Sequence, residues 1–259
     1  MNTGVRVPPP VPRARMAWAV CVNELRVAGR ERVVVVFTVL MPLLIMVLFA
    51  QLPGMFDADP ETGLRAVDTV MAPIALGIAL LVTTLVMVPS TLAAAREHGY
   101  LRRISTTPAP PWAVLLAHML VGALNVVGAC AVILGVGRLL FDLRMPVSWG
   151  WFVLGLALAT TSLLAVSALI GGLLPNTAWA NGVGSVVLVP AMFLSGVFVP
   201  AEELSPALQR VAELLPSGAA LHVLRDAWAG QPPAPAHLLV LVVATGLLWP
   251  LALRFFRWT

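Results

Sequence analysis

Apolar residues in this chain come in long, nearly unbroken runs, and the polar residues are confined to the intervals between them. A membrane crossing needs roughly 20 apolar residues. Six such runs can be placed, at about 33–52, 69–95, 112–140, 149–174, 180–198 and 237–254. The expected fold is therefore an all-α membrane protein with six transmembrane helices. Residues 33–259 would form one transmembrane domain, and residues 1–32 a cytoplasmic tail and helix ahead of it.

The intervals have characters of their own. Met1–Pro12 is rich in Pro and Arg and reads as disordered. From Ala14 to Arg32, Trp18, Cys21, Val22, Leu25 and Ala28 recur at helical spacing while Arg15, Asn23, Glu24, Arg26 and Arg30 fall largely elsewhere, the pattern of an amphipathic helix lying in the membrane interface. Prolines interrupt the first two spans at Pro42, Pro73 and Pro89, where neighbouring helices must accommodate the break. The fourth span carries Thr160, Thr161, Ser162, Ser167, Gly171 and Gly172, small and hydroxyl residues that let helices approach closely, so it is expected inside the bundle. Residues 200–236 are too broken to span and too apolar for a free loop; a re-entrant or interfacial helical hairpin on the outer side accounts for both.

Composition narrows the class. Of 259 residues, 59% are hydrophobic and 11% charged, where a soluble domain carries about 25% charged residues. The mean hydropathy is +0.93, and the spans leave no room for a separate soluble domain. A net charge of +4 and a pI near 10.4 would raise nucleic acid as a partner for a soluble protein. Here the arginines sort by interval, so topology explains them and no nucleic-acid partner is expected. With both termini cytoplasmic, 11 of the 16 arginines fall inside and only Glu24, Glu31 and Glu97 of the 12 acidic residues do. The chain has no lysine, so a GK[ST] phosphate loop is excluded. Cys21 and Cys130 share neither environment nor metal-ligand spacing, and neither a disulfide nor a metal site is expected.

Intramembrane chemistry is sparse. Carboxylates and arginines are missing from the centres of the expected spans, where a proton-coupled carrier usually keeps a relay. His118 reads as a packing or interfacial residue, Glu97-His98 lacks the second ligand of an HExxH pair, and Phe193 stands where a GxSG serine-protease motif needs glycine. No catalytic residue is assigned. The densest charge lies in REHGYLRRISTTPAPPW, Arg96 to Trp112, between two spans. A helix leaving the bilayer, a break near Gly99 and a turn carrying Tyr100, Leu101, Arg102 and Arg103 would make a small amphipathic knob facing the cytosol. Taken alone, the same residues also fit a solvated loop with topogenic arginines.

Two stretches resemble a known family. REHGYLRRISTTPAPPWAVLLAHML and FLSGVFVPAEELSPALQRVAELLPSGAALHVLRDAW are similar to the cytoplasmic segment and the closing segment of the membrane subunit of type 2 ATP-binding cassette exporters, which include daunorubicin-type drug and antibiotic efflux permeases. The order and spacing of the two stretches, with the six-span layout, extend the resemblance over the whole chain; Pro216-Ser217-Gly218 departs from the family's usual Pro-Leu. The resemblance implies a permease in the bacterial cytoplasmic membrane that exports an amphiphilic drug, antibiotic or lipid-like compound. A separate ATPase subunit would bind ATP and Mg, with no cofactor in this chain, and a second permease chain would complete a dimer among the membrane lipids. It further implies that Arg96, Glu97, His98, Gly99, Tyr100, Leu101, Arg102 and Arg103 form a coupling helix that docks into the ATPase. Thr83, Thr84, Met87, Asn181, Ser185, Val189, Met192 and Phe193 would then line the substrate pathway. The alternatives are a membrane scaffold without a pathway and an ion-driven carrier.

Overall fold

A computed structural model of the chain describes residues 13–28, 40, 43–57, 65–99, 112–200 and 203–255. Every regular element among them is a helix: α1 (Arg13–Ala28), α2 (residues 43–50), α3 (Val67–Glu97), α4 (Trp112–Phe141), α5 (Trp149–Leu173), α6 (Thr177–Leu194), α7 (Pro206–Leu214), α8 (Pro216–Trp228) and α9 (Pro235–Phe255). Five of these, α3, α4, α5, α6 and α9, are long and apolar enough to cross a membrane, and they match the second to sixth expected spans. Of the first expected span, 33–52, residues 40 and 43–52 are described, and 43–50 are helical. The amphipathic segment is α1, which packs chiefly on α4, with Cys21 buried and Trp18 exposed. Burial pushes the Cys21 thiol above its ordinary pKa, and neither cysteine is in a disulfide.

The bundle is built around α3. In its most apolar stretch 78% of residues are buried, against 22% for α6 and 11% for α9, so α3 is the helix the others cover. Glycines let them close in: a side chain at Gly122 of α4 would meet Val88, one at Gly171 of α5 would meet Leu92 and the Pro89 backbone, and one at Gly184 of α6 would run into the Leu85 carbonyl.

The expected breaks at Pro73 and Pro89 are π-helical turns, Val67–Met71 and Thr83–Met87, placed just ahead of each proline. A proline has no N–H and its ring crowds the carbonyl four residues back, and a widened turn relieves that crowding without ending the helix. At the second turn the Val88 N–H donates to Thr83 O. In the same register Thr84 O would face Pro89, which has no proton to give. The Ser167 hydroxyl, from α5, donates there instead and lies 3.0 Å from its own Leu163 O. The hydroxyl-rich fourth span thus supplies what the second lacks.

Residues 206–228 form two helices meeting at a corner where Gly218 packs on the Ala212 carbonyl too closely for any side chain. α8 is wedged between α3 and α5: Leu221 occupies the space left by Gly77, and Val223 would stand 2.5 Å from a Cβ at Gly155. Gly77 lies ten residues beyond Val67, about 15 Å along the helix. At the rim, Arg225 of α8 donates to Gly196 O at 2.6 Å, covering the C-terminal end of α6, where Gly196 has φ 75°. Phe152 packs edge-on to both Trp149 and Trp228, which fixes the α5–α8 seam.

Asp68, at the start of α3, is buried, with 2% of its surface exposed. Its carboxylate accepts from Arg65 Nε at 2.9 Å and Nη2 at 3.1 Å, and from the Arg144 backbone N–H at 2.7 Å. The hydrogen bond to Asp68 holds the Arg65 proton more firmly than usual, and Arg65 Nη2 also donates to Asp142 O at 2.6 Å. This carboxylate therefore ties the start of α3 to the α4–α5 connection.

Two expectations follow for unfolding in a detergent titration. Asp68→Asn should cost about 2–4 kcal/mol, because a buried ion pair loses one partner; a shift within error of wild type would refute the latch. Gly184→Ala should destabilise more than Gly77→Ala, since the first meets backbone and the second only the movable end of Leu221, a difference of about 1–3 kcal/mol. Equal shifts would contradict that packing.

Candidate functional site

The end of α3 is a helix terminus with charged side chains, and its partners lie 76 to 80 residues further along the chain. The helix stops at Glu97, His98 Nδ1 donates to Ala94 O at 2.8 Å, and Gly99 takes φ 67° with its N–H on Arg96 O at 2.9 Å. A left-handed glycine is the ordinary way to close a helix, and it turns the chain toward residue 100.

Immediately opposite is the turn between α5 and α6. The last carbonyls of α5 carry the negative end of its helix dipole, and the first N–H groups of α6 the positive end. Arg96 donates to Leu174 O at 2.6 Å and to Gly172 O at 3.0 Å. Glu97 Oε2 accepts from Thr177 N at 3.1 Å and from Thr177 Oγ1 at 2.7 Å. Two consecutive residues of opposite charge thus grip opposite helix poles. Charge-assisted bonds of this kind are the stronger class. Asn176 completes the α6 N-terminus, its side chain accepting from Trp179 N at 2.9 Å.

About two turns earlier, Ser90 Oγ lies 2.5 Å from both Val86 O and Asn181 Oδ1, a second polar link between α3 and α6. Arg96, Glu97, Ser90 and the Leu85–Gly184 contact follow one flank of α3, so α6 is fastened to α3 along much of its first half.

The residues implied by the resemblance distribute unevenly. Arg96, Glu97, His98 and Gly99 form the terminus just described, with Arg96 and Glu97 turned to the α5–α6 turn. Tyr100, Leu101, Arg102 and Arg103 lie outside the described residues. Thr83, Thr84 and Met192 are buried between helices, Thr84 Oγ1 donating to Leu80 O at 2.7 Å. Met87 borders a cleft facing α1 and α4. Asn181 reaches Ser90, while Ser185, Val189 and Phe193 lie on the exposed side of α6. Within one chain these eight do not line a common cavity. The sequence reading named Ser167 only as a small residue for helix packing and did not single out Asn176 or Thr177. The Pro175-Asn176-Thr177 run is itself a helix-start signal, but nothing local names Glu97 as its partner. Among the described residues no group of His, Cys, Asp or Glu is arranged to hold a metal.

Known proteins resemble this chain in sequence. Over 77 residues the chain is 34% identical to Nodulation protein J of Neorhizobium galegae, a match covering 30% of this chain and 29% of that protein. Residues 16–228 match the profile of the ABC-2 type transporter family, a span that includes the α3 terminus, the α5–α6 turn and α8. The chain accordingly belongs to the ABC-2 type transporter family, as a transmembrane permease component.

Proposed function

We propose that this chain is the permease of an exporter that moves an amphiphilic drug, antibiotic or lipid-like compound out across a bacterial cytoplasmic membrane. It would work with both termini cytoplasmic, paired with a second permease chain and driven by a separate ATPase subunit that binds ATP and Mg. The observation that carries this reading is the double grip of Arg96 and Glu97 on the α5–α6 turn. A partner pressing on the segment after Gly99 would push the end of α3. Because Arg96 and Glu97 hold that end to the turn, the push is delivered to α5 and α6 together.

α6 is suited to respond. Its buried stripe, Ala180, Gly184 and Ala191, faces α3, while Trp179, Val186, Val189 and Phe193 are exposed at helical spacing on the other side. An exposed apolar stripe on a helix of 18 residues, about 27 Å and barely a bilayer's depth, fits the seam against a second permease chain. Ser185, Val189 and Phe193 would then line a pathway that neither chain closes alone. Pro206–Trp228 fits a re-entrant hairpin, with α8 held between Gly77 and Gly155.

The reading divides the coupling segment into two roles that mutation can separate. Leu101→Asp should lose the co-purifying ATPase subunit. Glu97→Ala should keep it and still lose ATP-driven efflux about tenfold or more, within the usual range of coupling between sites, with normal membrane insertion. Wild-type efflux by Glu97→Ala at equal expression would contradict the transmission role. Failure of any ATPase to bind the wild-type chain would favour the scaffold or ion-driven carrier instead.

A further inference from the structure

A cleft of about 540 Å³ opens between α1, the last third of α3 and α4, with Thr177 of α6 at its margin. Its polar lining is concentrated for a protein of this composition: Asn23 and Glu24 from α1, Ser90 and Thr91 from α3, His118 and Asn125 from α4. The walls between them are apolar, from Met87, Val88 and Val121. Asn125 is 13 residues into α4, about 20 Å from its start, so the cleft reaches well into the bundle. Polar side chains at such depth mark function by default.

The direction of the hydrogen bonds around this cleft narrows its ligand. His118 Nδ1 lies 3.0 Å from Val114 O and His98 Nδ1, at the cleft mouth, 2.8 Å from Ala94 O. A carbonyl can only accept, so each Nδ1 carries a proton and spends it on the backbone. Thr91 Oγ1 gives its proton to Val88 O at 3.0 Å, and the Ser90 hydroxyl proton is held by Val86 O or Asn181. Thr177, at the margin, donates to Glu97. The protons of these hydroxyls are thus spent within the protein, and their oxygens remain able to accept. Among the described residues Glu24 adds a carboxylate with no ion-pair partner, and no arginine lines the cleft.

We propose that this cleft binds an amphiphile whose head is a protonated primary amine, with Glu24 as counter-charge and the hydroxyl oxygens of Ser90 and Thr91 and the amide oxygens of Asn23 and Asn125 as acceptors for its remaining protons. An ammonium has three donors and no acceptor, which suits a lining that offers a carboxylate and several hydroxyl and amide oxygens. The apolar body lies along Met87, Val88 and Val121. As a statement about cargo this rests on the exporter reading; as a binding site it stands on the cleft itself.

The test uses the purified full-length chain in zwitterionic lipid nanodiscs, without any ATPase, and three probes of one diazirine-bearing dodecyl chain ending in an amine, an alcohol or a carboxylic acid. After irradiation, adducts are mapped by peptide mass spectrometry. The amine should label residues 87–98 and 118–125 about tenfold more than the acid, the scale expected for one charge-assisted contact. Glu24→Gln should remove that preference and leave alcohol labelling unchanged, and Ala94→Trp, which fills the cleft, should abolish labelling there by all three. Equal labelling by acid and amine in the wild type overturns the proposal without recourse to any variant, as does a Glu24→Gln chain that labels like the wild type. Because no ATPase is present, such a failure leaves the exporter reading standing, and absence of an ATPase partner would leave the labelling result standing.

Discussion

Everything in this bundle follows from the rule that a backbone carbonyl inside a bilayer must find a proton within the protein. α3 breaks its own ladder at Pro89, and the widened turn Thr83–Met87 exposes carbonyls at Thr84 and Leu85. The two neighbours are cut to fit: α5 brings the Ser167 hydroxyl to Thr84, and α6 brings Gly184, the one residue small enough to lie against Leu85. A more regular α3 would not need these partners, and its neighbours would have no reason to approach so closely. The proline is therefore what selects which helices surround α3 and at what height.

The ends of the helices obey the same accounting with charge added. Arg96 covers the C-terminal carbonyls of α5, Glu97 the N-terminal N–H groups of α6, and Arg225 the C-terminal end of α6 at its other extremity. α6 is thus held at one pole by α3 and at the other by α8, with a free face between. A helix clamped at both ends and exposed along one side can tilt as a unit. That mechanical arrangement, more than any single lining residue, suits a permease moved by a separate engine.

Much of the architecture was legible in the sequence because a bilayer leaves few choices. Apolar runs placed five helices nearly where they stand, the spacing of Cys21 and Leu25 marked α1, and the broken pattern of 206–228 marked two short helices. The pairings were not legible. Ser167 was visible as a small polar residue in the fourth span, but its target depends on the register Pro89 imposes on a helix more than 70 residues away. Glu97 reads in sequence as a charge available to a partner chain, and in the structure its carboxylate accepts from Thr177 of its own chain. Asp68 likewise counts toward loop charge in sequence and acts as a buried latch in space. The cleft was the least legible feature, since Glu24, Ser90 and His118 lie on three separate elements and each alone is ordinary.

The central claim is that Glu97 transmits force through Thr177, and a double-mutant cycle on ATP-driven export tests it most directly. Glu97→Ala, Thr177→Val and the double variant are compared at matched expression, with ATPase binding measured alongside. If the two side chains act as one link, the double variant exports no less than the worse single variant, and all three retain the ATPase. If the losses multiply, or if the single variants lose the ATPase itself, the two residues act separately and the α3 terminus is not the link between engine and bundle.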